Sequence, residues 1–177
     1  ASCTPAARPW SSTAPADRPR LPVTHPAMPG PPPEDIDLRG AIPGDAGDVA
    51  ALLTQLGYPC EPADAAERIS TVLHNDRQAL ILARARGAAC GLLALDFMYY
   101  LPLGTTTCRV TALVVAEDAQ GRGVGRLLLR DAERRARLGG AARLEVTSAG
   151  HRTDAHAFYR ACGFTEGAVR FVKLLGD

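Results

Sequence analysis

The chain has 177 residues, of which 46 % are hydrophobic and 22 % charged, with a net charge of +1. That length suits one domain with a sizeable core, and so balanced a charge argues against a nucleic-acid or membrane-surface partner. No apolar run approaches the ~20 residues of a membrane helix, and the N-terminus lacks the basic-then-apolar order of a secretory signal.

Ten of the 14 prolines precede Asp35. The stretch Ala1 to Glu34 mixes them with Ser, Thr, Ala and Arg without helical or strand periodicity, which predicts a disordered, proline-rich tail. A domain is expected from residue 35 to residue 177.

Regular patterning begins with Asp37-Leu38-Arg39, a short strand. Asp45 is placed to cap a helix whose apolar positions Val49, Leu52, Leu53 and Leu56 follow the 3.6-residue period, and Gly57 stops it. A second helix is predicted from about Ala63 to His74. The β-rich runs Ala79 to Ala85 and Ala89 to Phe97, joined at Arg86-Gly87, read as a hairpin. Arg109 to Val115 and Arg143 to Ser148 are further strands. Between them a helix from about Val124 to Leu138 carries an inner stripe of Val124, Leu128, Ala132 and Ala136, and Gly139-Gly140 ends it. A helix from about Thr153 to Ala161 and a strand from Val169 to Leu174 complete a mixed α/β order around one sheet. The cysteines, Cys3, Cys60, Cys90, Cys108 and Cys162, are scattered and form no CxxC pair. They predict neither a zinc site nor a disulfide framework, and suit a reducing, cytoplasmic compartment.

The most informative stretch is Gln120-Gly121-Arg122-Gly123-Val124-Gly125-Arg126, which follows the buried run Leu113-Val114-Val115 and opens the long helix. Glycines at alternate positions expose backbone N–H groups with no Cβ in the way. With the positive end of the helix dipole they suit a pyrophosphate, and Arg122 and Arg126 can add charge-assisted contacts. A Walker loop would need Gly-Lys-Ser/Thr, and a dinucleotide fingerprint would need a G-x-G-x-x-G spacing after the first strand. Neither is present.

These residues resemble the Q/R-x-x-G-x-G/A loop of the GNAT superfamily of N-acetyltransferases. Leu113-Val114-Val115 is similar to that family's fourth strand, and Phe158-Tyr159 with Gly163-Phe164 to its C-terminal segment. The resemblance implies a mixed sheet of about six or seven strands flanked by about four helices, with the fourth and fifth strands splayed. It implies acetyl-CoA as co-substrate, with Leu113, Val114 and Val115 along the pantetheine arm and Gln120 to Arg126 on the phosphates. No metal is expected. Many members are dimers, so a homodimer is entertained.

Acetyl transfer needs a neutral amine, a polarised carbonyl and a proton for the departing thiolate. An alkylamine of pKa ~10.4 is only about one part in 2,500 neutral at pH 7, so a base or a desolvating pocket helps. Tyr159 matches the tyrosine that often supplies the thiolate's proton in the family. Glu145, on the face of its strand opposite Leu144 and Val146, is the candidate base or else a partner for a surface arginine. Asp96, Tyr99 and Tyr100, at the end of the hairpin, are expected to wall the acceptor pocket, and His156 is a further candidate there. The run from Arg152 to Tyr159 resembles a branch containing aminoalkylphosphonate N-acetyltransferases. Where those enzymes carry acidic residues this chain has Arg109 and Ala112, so Arg109 is a candidate for holding an anionic acceptor. The reading is transfer to the primary amine of a small molecule. The alternatives are a protein N-terminus or lysine as acceptor, and a non-catalytic acetyl-CoA-binding module.

Overall fold

The structure, a computed structural model, describes residues 36–167 and 170–175. The proline-rich stretch 1–34 and Val169 lie outside the described residues. The first strand, β1 (Ile36–Gly40), leads through a short 3-10 turn into helices α1 (Ala46–Leu56) and α2 (Pro62–Leu73). Strands β2 (Gln78–Ala85), β3 (Ala88–Tyr100) and β4 (Thr105–Val115) follow, then α3 (Val124–Leu138), β5 (Ala141–Val146) and α4 (Thr153–Ala161). The expected α/β architecture is present, with four helices among the described residues.

Asp45 stands at the N-cap of α1 but does not cap it with its side chain. Its carboxylate accepts two bonds of 2.7 Å from Arg39, one of 3.2 Å from Arg84 and one of 2.8 Å from the backbone N–H of Ile42. A buried carboxylate gains more from two guanidinium groups than from a helix amide. It therefore ties β1, β2 and the entry to α1 together.

Among the described residues, five strands form one sheet in sequence order, antiparallel except for the parallel β4–β5 pair. Six or seven were expected. Residues 170–175 carry no regular structure, and Phe171, Val172 and Leu174 are exposed. These residues pair with neither edge strand of the sheet, and alternation alone does not make a strand without such pairing. Conversely, β4 begins four residues before the expected Arg109, because Thr105 to Cys108 pair with Tyr100 to Phe97 in a long ladder. β5 runs two residues earlier than expected at both ends.

Adjacent residues Leu92 and Leu93 of β3 are both fully buried, so helices cover both faces of the sheet at that point. α3 lies on one, with Leu128 and Val124 against Gly91. α1 and α2 pack against β2, β3 and β4 on the other. The amphipathic stripe of α3 behaves as its periodicity predicts: Val124, Leu128, Ala132 and Ala136 are buried.

Two irregularities shape the functional end. In β4 the register slips by one between Val110 and Ala112, leaving Thr111 as an extra residue opposite β3. The pairing of β4 with β5 stops at the same place, with Val110 opposite Val146. A bulge bends and twists its strand. Beyond it, Ala112 to Val115 stay bonded to β3 and, among the described residues, have no strand on their other edge. The expected splay of β4 from β5 is thus present.

Candidate active site: a cleft at the splayed end of the sheet

β4 runs from the splay into a 3-10 turn, Glu117–Ala119, and then the glycine loop. Gly121 and Gly123 have φ of +73° and +83°. A side chain in this left-handed region costs roughly 1–2 kcal/mol. Gly123 is the N-cap of α3, and its carbonyl takes the helix's first bond from Leu127 at 3.0 Å. The amides of the next three residues lack helical partners and stand at the positive end of the dipole. Gln120 holds the loop to the strand, donating its side-chain amide to the carbonyl of Val115 at 3.3 Å.

α4 forms the opposite wall. Phe158 packs so closely on the first turn of α3 that a Cβ on Gly125 would stand 3.1 Å from its ring. The Tyr159 ring lies between Phe158 and Phe164, at centroid distances of 5.4 and 5.7 Å. Between these walls lies a cleft of about 470 Å³, a usual size for a small-molecule site. Leu113, Val114, Val115, Gln120, Gly121, Gly123, Val124, Gly125, Arg126 and Tyr159 all line it. Among the predicted phosphate-loop residues, only Arg122 does not. A second hollow of about 130 Å³ shares Leu113 to Val115, Gln120 and Arg152 with the cleft, and adds Gln55, Leu56 and Glu117. The shared residues make the two hollows adjoining chambers along the free end of β4.

Burial pushes the Tyr159 phenol above its ordinary value, while the nearby Arg152 guanidinium pulls the other way. The hydroxyl therefore keeps its proton at neutral pH and is available as a donor. Arg152 has no signal in the periodic pattern of the chain, and lies in both chambers. Asp154 and Ala155 also line the cleft without having been singled out.

The remaining candidates are assembled elsewhere. Asp96 is directly opposite Arg109 across β3–β4, and Arg109 is opposite Glu145 across β4–β5. Glu145 accepts from Arg109 at 3.2 Å and pairs with Arg143 at 2.6 Å. Arg143 also stacks 4.3 Å over the Tyr100 ring, and Gln78 donates to Asp96 at 3.3 Å. These form one charge-balanced cluster that lines neither chamber. Glu145, offered as a base, is held between two guanidinium groups. Tyr99 is exposed, and half-buried His156 on α4 lines neither hollow. Among the described residues no cluster of His, Cys, Asp and Glu is arranged to hold a metal, and no helix is long and apolar enough to cross a membrane.

The model of the Acetyltransferase (GNAT) family matches residues 49–164, the stretch containing the splay, the loop and Tyr159. A curated relative, the aminoalkylphosphonate N-acetyltransferase of Salmonella typhimurium, is 33 % identical over 94 residues. That alignment covers 53 % of this chain and 61 % of the relative, so the chain spans about three fifths of that protein's length. Among solved structures, a transcriptional regulator from Bacillus halodurans superposes with a TM-score of 0.71 at 23 % identity, covering 78 % of this chain and 98 % of that one. The acetyltransferase AAC(6')-Iy, solved with a coenzyme A bisubstrate analogue, superposes at 0.69 and 22 % identity, covering 78 % and 97 %. At these identities the superpositions speak for the fold.

Proposed function

The chain belongs to the acetyltransferase (GNAT) family, and from that premise we propose that it transfers the acetyl group of acetyl-CoA to the primary amine of a small molecule. One observation carries the reading. A single cleft brings together the free amides of the glycine loop, the unpaired edge of β4 and a protonated tyrosine.

The fit to coenzyme A rests on shape and charge. Gly121 and Gly123 leave the loop amides uncovered for a diphosphate, and Arg126 adds a cation at the same wall. The unpaired edge of Ala112 to Val115 offers main-chain donors and acceptors to an extended amide-bearing arm, as a missing strand would. When bound, acetyl-CoA supplies an activated thioester. A free N–H of that edge polarises its carbonyl, and Tyr159 donates a proton to the departing sulfur. Direct attack of the amine in a ternary complex needs no covalent enzyme intermediate. Accordingly, Cys90 and Cys108 are buried and burial pushes both thiols up, Cys108 to about 11, which suits core packing rather than nucleophilic work.

The small-molecule reading is supported by the adjoining 130 Å³ hollow and by the aminoalkylphosphonate specificity in the Salmonella relative's name. With Glu145 engaged by two arginines, the carboxylates that reach the chambers are Glu117 and Asp154. The scattered cysteines favour the cytoplasm as the compartment. Thiol release from acetyl-CoA across aminophosphonates, polyamines, aminoglycosides and a lysine peptide tests the assignment. Turnover with a compact amine is expected. Turnover with the peptide alone would transfer the assignment to a protein acetyltransferase, and none with any amine would leave a binding module.

A further inference from the structure

Arg152 immediately precedes α4, seven residues before Tyr159. Seven residues make two helical turns, so the two positions share a face. Helical side chains lean toward the N-terminus, which carries the Tyr159 ring back toward Arg152. Ala155, one turn before Tyr159 on that face, also lines the cleft and contributes only a methyl group.

Of the other arginines near this end of the molecule, Arg109 and Arg143 pair with Glu145 and Arg160 with Glu166, while Arg126 lines the glycine-loop wall of the cleft. Arg152 has no carboxylate partner among the described residues. It is also shared by the two chambers, together with Gln120 and the Leu113–Val115 edge. An unpaired cation at the seam of a donor cleft and an acceptor hollow is in the right place to act on charge that appears there.

We propose that Arg152 is a positioning residue for acetyl transfer: its guanidinium fixes the Tyr159 hydroxyl toward the departing sulfur and offsets the negative charge that grows there. This rests on the transferase reading given above. Transfer forms the N–C bond of the amide and breaks the C–S bond. The Tyr159 proton moves to the sulfur, and the proton lost by the amine returns to the phenolate through solvent. The most demanding moment is one in which negative charge sits on sulfur or on the phenolate. A cation beside both lowers that charge's cost. The groups acting on Tyr159 are few. Burial raises its pKa, Arg152 lowers it and the Cys162 thiol raises it, and Arg126 and Asp154 are the other ionisable groups lining the cleft.

The test compares Arg152→Gln, Arg152→Lys and Tyr159→Phe. Arg152→Gln is expected to lower kcat about tenfold or more while the KM for acetyl-CoA stays within about threefold. Arg152→Lys should recover most of the rate, and Arg152→Gln should add little loss on top of Tyr159→Phe. Ultraviolet titration of tyrosinate, with the Tyr159→Phe signal subtracted, should show the Tyr159 midpoint rising in Arg152→Gln. An unchanged kcat, a loss confined to acetyl-CoA affinity, or an unmoved midpoint would overturn the role. The titration needs no turnover. If the wild type acetylated no amine, the transferase reading would fall while the titration still decided whether Arg152 acts on Tyr159.

Discussion

Gly125 and Phe158 join two segments that are 33 positions apart in sequence: a β-carbon on the glycine would lie 3.1 Å from Cζ of the ring. The ring thus serves as the hinge pin between the phosphate loop and the helix that carries Tyr159. A larger side chain at 125 must push α4 outward and widen the cleft. Gly125→Val is expected to weaken acetyl-CoA binding about tenfold or more with far-UV dichroism unchanged, as measured by calorimetry. Wild-type affinity in this variant would show that the contact is dispensable.

Tyr159 is assigned the proton for the leaving sulfur. Removing one hydroxyl donor from a general-acid step typically costs about 10²-fold or more, so Tyr159→Phe should lower kcat on that scale with little effect on the KM for acetyl-CoA. Because burial raises the phenol, its loss of the proton, and with it the alkaline fall in kcat, is expected above the ordinary tyrosine value of 10. A pH–rate profile to that limit checks both the size and the position of the effect.

Asp45 makes a separate prediction about stability. Hydrogen bonds from Arg39 hold its carboxyl below the ordinary value of 3.8, with help from Ile42 and Arg84. A depressed folded-state pKa contributes stability that is fully present above the unfolded-state value and drains away as pH falls through the folded-state one. Thermal unfolding between pH 6 and pH 2 should show that loss in the wild type, and Asp45→Asn should flatten it. At neutral pH the same substitution is expected to cost about 1–3 kcal/mol, read from denaturant unfolding.

What the sequence made legible is what is local. The glycine loop, the stripe of α3 and the apolar run ending at Val115 are contiguous, and each carries its own periodicity or spacing. The cleft that they form with Tyr159 could be anticipated for that reason. Tertiary pairing decided the rest. Thr105 to Cys108 lack the apolar run that marks the strand from Arg109, and only pairing with Tyr100 to Phe97 extends the strand through them. Asp96, Arg109 and Glu145 look like separate pocket residues along the chain, yet the register stacks them across three strands, where with Arg143 their charges cancel. Arg152 stands in a polar loop with no period to mark it, and only the start of α4 brings it to the cleft. Thr111 gives no sign in sequence of the bulge that ends the β4–β5 pairing.

Isothermal titration of acetyl-CoA into the purified protein, set beside Gly123→Asp, probes the amide cradle most directly. Gly123 has φ of +83°, a conformation aspartate tolerates better than most residues, so the variant places bulk and negative charge at the helix start while keeping the fold. Saturable binding to the wild type and none to Gly123→Asp, at equal far-UV dichroism, is the predicted result. No heat with the wild type, or equal binding by both proteins, would contradict it.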